Sequence, residues 1–168
     1  GTVGKFGCIS FNGNKIITTG GGGMILTDSD KLADKAKYLT TQAKDDPINY
    51  VHEEVGYNFR LTNIQAALGV AQLEQLDTFL KRKKEINKFY KNEINKIDGL
   101  SILDSPEYSS NNHWINILQI DPKLFKFDKN QLMKYLDENR IQTRPIWKLN
   151  HLQTPFKNFE NYKIDNAH

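Results

Sequence analysis

The sequence predicts an α/β fold, in which short strands are combined with amphipathic helices. Short apolar and β-branched segments at 7–11 and 24–27 have the composition of strands. A long segment at 63–97 repeats apolar residues in steps of three and four, as a helix does. A strand, helix and strand pattern then spans residues 101–144, which is typical of a small α/β lobe. With 168 residues, of which 38% are hydrophobic, the chain can bury a core.

The first elements are expected to form a β-hairpin followed by a helix. Asn12-Gly13-Asn14 is a turn sequence, because Asn and Gly tolerate positive φ. Ser29 and its two Asp neighbours offer N-caps for the helix that follows. The predicted elements, in order, are strands at 7–11, 15–19 and 24–27 and a helix from 31 to about 41.

The segment at 63–97 is predicted to be a long linking helix or a broken helix, with Thr62 as its cap and Gly99 just past its end. It is longer than an ordinary globular helix, so we expect it to bridge two lobes or to bend near 81–84. The sequence after it predicts strands at 101–103, 113–120 and 141–144 and a helix at 129–139, preceded by an Asp128 capping box. The expected domains are therefore 1–62, 63–97 and 98–168.

Composition excludes several classes of protein. The net charge of +3 is too small to indicate nucleic-acid binding, and the basic run at 81–84 is better explained as a solvated helix face. No run approaches the roughly 20 apolar residues of a membrane span. The one cysteine excludes an internal disulfide framework and suggests a reducing compartment, so we expect a cytoplasmic protein. No His, Cys and Asp cluster has metal-ligand spacing, so no metal is expected.

Two segments carry groups suited to chemistry. In the first, Lys15 follows a turn, Ser10 lies five residues earlier and four glycines, 20–23, follow. A lysine held by strands can form a Schiff base with an aldehyde, and a nearby hydroxyl can donate to a phosphate. The alternative is a hairpin with a solvated lysine and a flexible glycine turn. In the second, Asn58 and Arg60 precede a helix N-terminus, which favours anions; the alternative is a capped loop with a surface arginine.

These two segments together resemble the DegT/DnrJ-type sugar aminotransferases, pyridoxal-phosphate enzymes of the fold-type I (aspartate-aminotransferase-like) class. The first matches the family's lysine motif over 10–23, and the second matches Gly-Tyr-Asn-Phe-Arg-Leu-Thr at 56–62, with a Gln-Ala-Ala helix after it. A third similarity is Ile-Gln-Thr-Arg-Pro at 141–145, followed by His151. The resemblance implies that 1–62 is the end of the cofactor-binding large domain and that the last domain, 98–168, is truncated.

The resemblance also implies roles for the site residues. Lys15 would be the catalytic lysine that binds pyridoxal 5'-phosphate covalently and moves the proton, and Ser10 would hold the cofactor phosphate. Asn58 would reach the phosphate in a neighbouring subunit, which implies a homodimer. Arg60 would bind the carboxylate of the amino donor or hold its loop, and these alternatives stay open. Arg144 and His151 would lie near the sugar nucleotide, whereas His113 is expected to be structural.

The implied reaction moves an amino group from glutamate to a nucleotide-linked 4-keto-6-deoxy sugar, for surface-polysaccharide synthesis. The stretch 141–151 most resembles members that aminate UDP-linked N-acetyl sugars of the legionaminic-acid type, and a GDP-linked perosamine precursor is the alternative. The family's N-terminal half, with its acidic partner for the pyridine nitrogen, is not found here. We therefore expect a C-terminal fragment that alone binds the cofactor weakly and turns over little. A non-catalytic remnant or dimerisation module of this fold, and an unrelated α/β module, are the rival hypotheses.

Overall fold

The computed structural model describes residues 3–165, which form two compact units. The first unit takes in the chain up to Asn87 together with Asn111–Trp114. The second unit consists of Lys88–Ser110 and the chain from Ile115 onward. The strands are β1 (Gly7–Ser10), β2 (Gly23–Leu26), β3 (Leu100–Ile102) and β4 (Leu118–Ile120), and the helices are α1 (Asp30–Thr40), α2 (Asn63–Leu73), α3 (Leu76–Ile94) and α4 (Lys129–Glu138). The predicted α/β class is confirmed, and the predicted domain boundaries stay a prediction.

In the first unit, β1 and β2 form an antiparallel pair with Cys8 opposite Ile25. The predicted strand at 15–19 is wrong, because this segment folds into turns and bends between β1 and β2. The backbone N–H of Lys15 donates to the carbonyl of Asn12 at 3.0 Å, within a local turn. The N–H of Thr19 donates to the carbonyl of Phe11 at 3.1 Å, so neither of these two backbone groups joins a strand ladder.

Helix α1 begins after Ser29, whose side chain accepts a hydrogen bond from the N–H of Leu32 at 3.4 Å. Near its end, the half-buried Tyr38 donates its hydroxyl proton to the carboxylate of Asp45, with O···O distances of 3.0 and 2.9 Å. Desolvation of the phenol, followed by the hydrogen bond to Asp45, raises the pKa of Tyr38 to about 12. This contact ties α1 to the loop that follows it.

The Tyr38 contact leads to a pH prediction. Asp45→Asn should lower the pKa of Tyr38 from about 12 toward its ordinary value of 10.0, because the negative acceptor is removed. Since the folded pKa lies above the unfolded value, the phenol stabilises the fold below pH 10, and this contribution is lost as the pH rises toward 12. Tyrosinate absorbance titration measures the shift, with Tyr38→Phe identifying the band. An unchanged titration in Asp45→Asn would contradict the assignment.

The predicted long helix is two helices, α2 and α3. Thr62 and Gln65 form a capping box at the start of α2, in agreement with the cap predicted at Thr62. The helix ends at Leu73 because the N–H of Gln75 bonds to the carbonyl of Gln72 at 3.1 Å, a three-residue step that tightens the last turn. The bend expected near 81–84 is wrong, since these residues lie inside α3.

The second unit contains the antiparallel pair β3 and β4, with Ser101 opposite Gln119, and helix α4. Asp128 and Gln131 form the predicted capping box at the start of α4. Ile102 and Leu132 are buried apolar side chains of this unit. No helix formed within residues 3–165 has both the length and the apolar character that a membrane span requires.

Of two strands predicted in the later sequence, the one at 113–120 is shorter than predicted and the one at 141–144 is wrong. Of the segment at 113–120, only Leu118–Ile120 is a strand, because the side chains of Asn111 and Asn112 accept the N–H groups that a ladder would need. The segment at 141–144 is irregular, and the N–H of Ile141 bonds back to Leu136 at 2.8 Å. The sequence that follows forms two short 3₁₀ turns, Asn150–Leu152 and Thr154–Phe156.

Candidate active site

The candidate site begins where β1 ends, at Ser10. The hydroxyl oxygen of Ser10 accepts a hydrogen bond from the N–H of Asn12 at 3.3 Å. The carbonyl of the same Asn12 accepts from the N–H of Lys15 at 3.0 Å. The two predicted residues are therefore joined through one turn, because Asn12 bonds to both of them.

The side chain of Lys15 is half-buried and rests on an aromatic ring. Its Nζ lies 3.7 Å from the ring centroid of Trp114, whose Nε1–H donates to the carbonyl of Asn14 at 2.6 Å. Over residues 3–165, no carboxylate forms an ion pair with this amine. The amine is therefore available to react with an aldehyde once it has lost its proton. Sequence reasoning missed Trp114, which no motif near Lys15 indicates.

The segment after Lys15 packs against helix α2, which follows the second motif. The N–H of Thr18 donates to the side-chain carbonyl of Gln72 at 3.3 Å. Thr19 is buried, and a Cβ added at Gly69 would lie 3.0 Å from its methyl group. Gly69 therefore lets Thr19 pack close to the helix. The structure thus brings the first and second motifs together, through Gln72 and Gly69, which the motifs alone did not indicate as contacts.

The backbone of the second motif is fixed against the end of α1. The N–H of Tyr57 donates to Leu39 at 2.8 Å, and the N–H of Phe59 donates to Thr40 at 3.0 Å. Gly56 lies directly on the buried Ala43, and a Cβ added to Gly56 would lie 2.3 Å from the backbone N of that residue. Only glycine fits this position, so the motif contributes to the fold as well as carrying polar side chains.

The side chains of the second motif point away from this backbone contact toward solvent. Asn58 and Arg60 are exposed, and within the part of the chain that the structure describes neither side chain has a hydrogen bond or an ion pair. The rings of Tyr57 and Phe59 stack with centroids 5.1 Å apart and are 53% and 71% exposed. The motif therefore presents an amide, a guanidinium and two aromatic rings to a further molecule.

Arg144 and His151 belong to the second unit, whereas His113 belongs to the first. Arg144 is exposed, and its Nη1 donates to the carbonyl of Thr143 at 2.9 Å. His151 is half-buried within the 3₁₀ turn Asn150–Leu152. His113 has a φ of 50° and is half-buried. A search over the described ranges finds no group of three or more potential metal ligands.

The residues around Lys15 fit an aldehyde cofactor that carries a phosphate. The amine of Lys15 would supply the covalent attachment, and the exposed hydroxyl of Ser10 can donate to a phosphate oxygen. Gly20 and Gly22 have φ values of 79° and 85°, a conformation that glycine adopts without strain. The donor set of this turn is therefore compatible with pyridoxal phosphate.

The fold is shared with solved sugar aminotransferases. The aminotransferase TlmJ from Streptoalloteichus hindustanus superposes with a TM-score of 0.82 at 24% identity, covering 93% of this chain and 42% of TlmJ. Helicobacter pylori PseC superposes with a TM-score of 0.80 at 22% identity, covering 97% of this chain and 44% of PseC. These similarities show that the chain has the fold of the C-terminal part of fold-type I aminotransferases.

Sequence comparison then defines the family. The model of the DegT/DnrJ/EryC1/StrS aminotransferase family matches residues 1–168, and the chain belongs to this family. EpsN of Bacillus subtilis, assigned as a pyridoxal phosphate-dependent aminotransferase, is 42% identical over 93% of this chain and 39% of its own length. GDP-perosamine synthase of Vibrio cholerae is 38% identical over 88% of this chain and 40% of its own length. The chain spans about two fifths of these relatives. The predicted cofactor, pyridoxal phosphate, is that of the family.

Proposed function

We propose that the protein containing this chain transfers an amino group from glutamate to a nucleotide-linked 4-keto-6-deoxy sugar, for surface-polysaccharide synthesis in the cytoplasm. The observation that carries this proposal is the amine of Lys15, which has no carboxylate partner among residues 3–165 and lies in the family's lysine motif. Its retention argues against the alternative, a non-catalytic remnant or dimerisation module. Pyridoxal phosphate, when bound, supplies the electron sink for this reaction.

The residues of the first motif have separate roles in cofactor binding and in proton transfer. Lys15 would hold the cofactor covalently and, once freed by the amino donor, would move the proton between the cofactor carbon and the sugar carbon. The hydroxyl of Ser10 would donate to the phosphate, because its hydrogen bond with the N–H of Asn12 uses the oxygen as an acceptor and leaves the proton available. The bond between Ser10 and Asn12 keeps this hydroxyl on the same turn as the lysine.

The second motif supports a homodimer as the working form. The exposed amide of Asn58 would bind the cofactor phosphate of a second copy of the chain. The stacked rings of Tyr57 and Phe59 on either side of it are exposed, and they would be covered by the same subunit. A rigid backbone under these side chains suits an interface, because little entropy is then lost on association.

The arginines and His151 are assigned to substrates. Arg60 would bind the carboxylate of glutamate, for which its planar fork is suited. Its lack of any hydrogen bond or ion pair within the described residues favours this role over that of a loop anchor. Arg144 and His151 would bind the sugar nucleotide, and Arg144 is exposed and able to do so.

The nucleotide is either UDP or GDP. The stretch 141–151 suggested a UDP-linked N-acetyl sugar, and a Campylobacter jejuni transaminase named for a UDP-linked amino sugar is 33% identical. The GDP-perosamine synthase of Vibrio cholerae is 38% identical over a longer segment, which favours the GDP-linked perosamine precursor. Parallel assays with the two nucleotide sugars, with glutamate as donor, distinguish them by which one yields the amino sugar.

Borohydride trapping tests the proposed role of Lys15. The protein is mixed with pyridoxal phosphate, reduced and digested, and the modified lysine is identified by mass spectrometry. Because reduction makes attachment irreversible, site selectivity is measured even when affinity is low. We expect a dominant adduct at Lys15 that is absent from Lys15→Ala. Lys44 is the matched control, since its Nζ lies 5.4 Å from the ring centroid of Tyr50. Equal labelling of Lys15 and Lys44 would contradict the proposal.

A further inference from the structure

The amine of Lys15 lies over the aromatic ring of Trp114. Its Nζ lies 3.7 Å from the ring centroid, well within the roughly 6 Å over which an ammonium is attracted to an aromatic face. The ring cannot rotate freely, because its Nε1–H donates to the carbonyl of Asn14. Asn14 is the chain neighbour of Lys15, so the ring is held by the same turn that carries the lysine.

Hydrogen bonds within and around the segment Asn111–Trp114 fix the position of this ring. The side chain of Asn111 accepts the N–H of His113 at 2.8 Å, and that of Asn112 accepts the N–H of Trp114 at 3.0 Å. His113 has a φ of 50°, in the left-handed region. Lys83 of α3 donates to the carbonyl of Trp114 at 3.3 Å. These four residues belong to the first unit, although the chain on either side of them belongs to the second.

We propose that Trp114 is a positioning residue that holds the free, protonated amine of Lys15 and so competes with covalent attachment of the cofactor. This inference rests on the proposed function of Lys15. The face of an aromatic ring attracts an ammonium far more strongly than a neutral amine, so the contact stabilises the released lysine. Trp114 acts only through Lys15 and itself forms no bond in the reaction.

The competition follows from the balance of the attachment step. The ammonium of Lys15 first gives up one proton to solvent and leaves the ring. Its nitrogen then adds to the aldehyde carbon, the carbonyl oxygen departs as water with the two remaining amine hydrogens, and a carbon–nitrogen double bond remains. When the nitrogen of the amino donor replaces that of Lys15 in this bond, the two hydrogens of the donor amine pass to Lys15, which leaves as a neutral amine able to accept a proton. Only after taking a third hydrogen, as a proton, does its ammonium return to Trp114, so the contact opposes renewed attachment of the cofactor.

The contact itself is tested without the cofactor. Reductive methylation with ¹³C-formaldehyde labels the lysines, and Lys15→Arg identifies the signal of Lys15. We expect the methyl signals of Lys15 to be displaced upfield by the ring current of Trp114 and to lose this displacement in Trp114→Leu. Trp147→Leu is the matched control, since Trp147 is 69% exposed. A Lys15 signal that is the same in the parent protein and in Trp114→Leu would overturn the inference.

The competition is tested by titration with pyridoxal phosphate followed by borohydride trapping. A contact worth about 1 kcal/mol predicts that Trp114→Leu strengthens attachment at Lys15 by about fivefold. Release of the lysine by an amino donor should slow by a similar factor. If Trp114 had only a structural role, Trp114→Leu would weaken both the attachment of pyridoxal phosphate at Lys15 and the release of the lysine. That result would overturn the inference.

Trp114→Phe is the control in case Trp114→Leu does not fold, because it keeps an aromatic face and loses only the Nε1–H donor. It should show intermediate attachment, between the parent protein and Trp114→Leu, and attachment weaker than the parent's would count against the inference. If Lys15 is not trapped in any variant while its ring-current shift is present, the proposed function fails and the contact stands. If Lys15 is trapped equally in all of them, the proposed function stands and the inference fails.

Discussion

In the protein that contains this chain, Lys15→Ala is expected to abolish amino transfer. The substitution would remove both the proposed covalent attachment point and the group proposed to move the proton. The loss in kcat should reach at least about 10²- to 10⁴-fold, the range that one positioned acid–base group contributes. Transfer of the amino group from glutamate to the keto sugar, followed by separation of the sugar nucleotides, measures the effect.

Two further variants give this experiment its controls. Lys15→Arg keeps a positive charge beside Trp114 but cannot form the carbon–nitrogen double bond, so it should be as inactive as Lys15→Ala. Lys5→Ala removes an exposed lysine that precedes β1, and it should keep the parent rate. Substantial transfer by Lys15→Arg would mean that charge, and not covalent attachment, is what the position supplies.

The second large effect is expected at Gly56, where alanine should destabilise the first unit by about 3 kcal/mol, the upper end of what overpacking costs. A Cβ at this position would lie 2.3 Å from the backbone N of Ala43 and 2.3 Å from the backbone C of Gln42. Backbone atoms cannot rotate away as a side-chain tip can, so the loop must shift. Urea unfolding of the variant measures the loss as a lower midpoint with an unchanged slope.

Gly13→Ala is the matched control for this substitution. A Cβ at Gly13 would meet no atom within 4 Å, so the same chemical change should alter the free energy of unfolding little. Equal losses in the two variants would mean that the general preference for glycine in loops, and not the contact with Ala43, explains the result. The same backbone segment carries Asn58 and Arg60, so the comparison also tests the segment that positions these two side chains.

Local side-chain interactions explain which elements were predictable. The capping boxes at Thr62 and Asp128 lie in the sequence three residues from their partners, so both helix starts could be predicted. The segment at 15–19 has the composition of a strand, but its backbone bonds within the turn instead. At 113–120, two asparagine side chains take the backbone donors, a competition that composition does not reveal.

The residues of the candidate site also differ in how far the sequence alone could predict them. Lys15 and Ser10 lie in one continuous motif, and both were predicted from it. Gln72 contacts the lysine segment from a helix 54 residues away, and no pattern near Lys15 points to it. The pairing of Lys15 with Trp114 is a still more distant contact. Such long-range contacts depend on the folded chain, and one sequence without a structure does not contain them.

The hydrogen bond between Trp114 and Asn14 joins residues 100 positions apart, which has a consequence for biosynthesis. At about 5–20 residues per second, a ribosome needs roughly 5–20 s to add the intervening residues. Throughout that interval the nascent chain carries Lys15 with no ring beneath its amine. The lysine loop therefore completes its structure late in translation, after β1, β2 and α1 have already been synthesised.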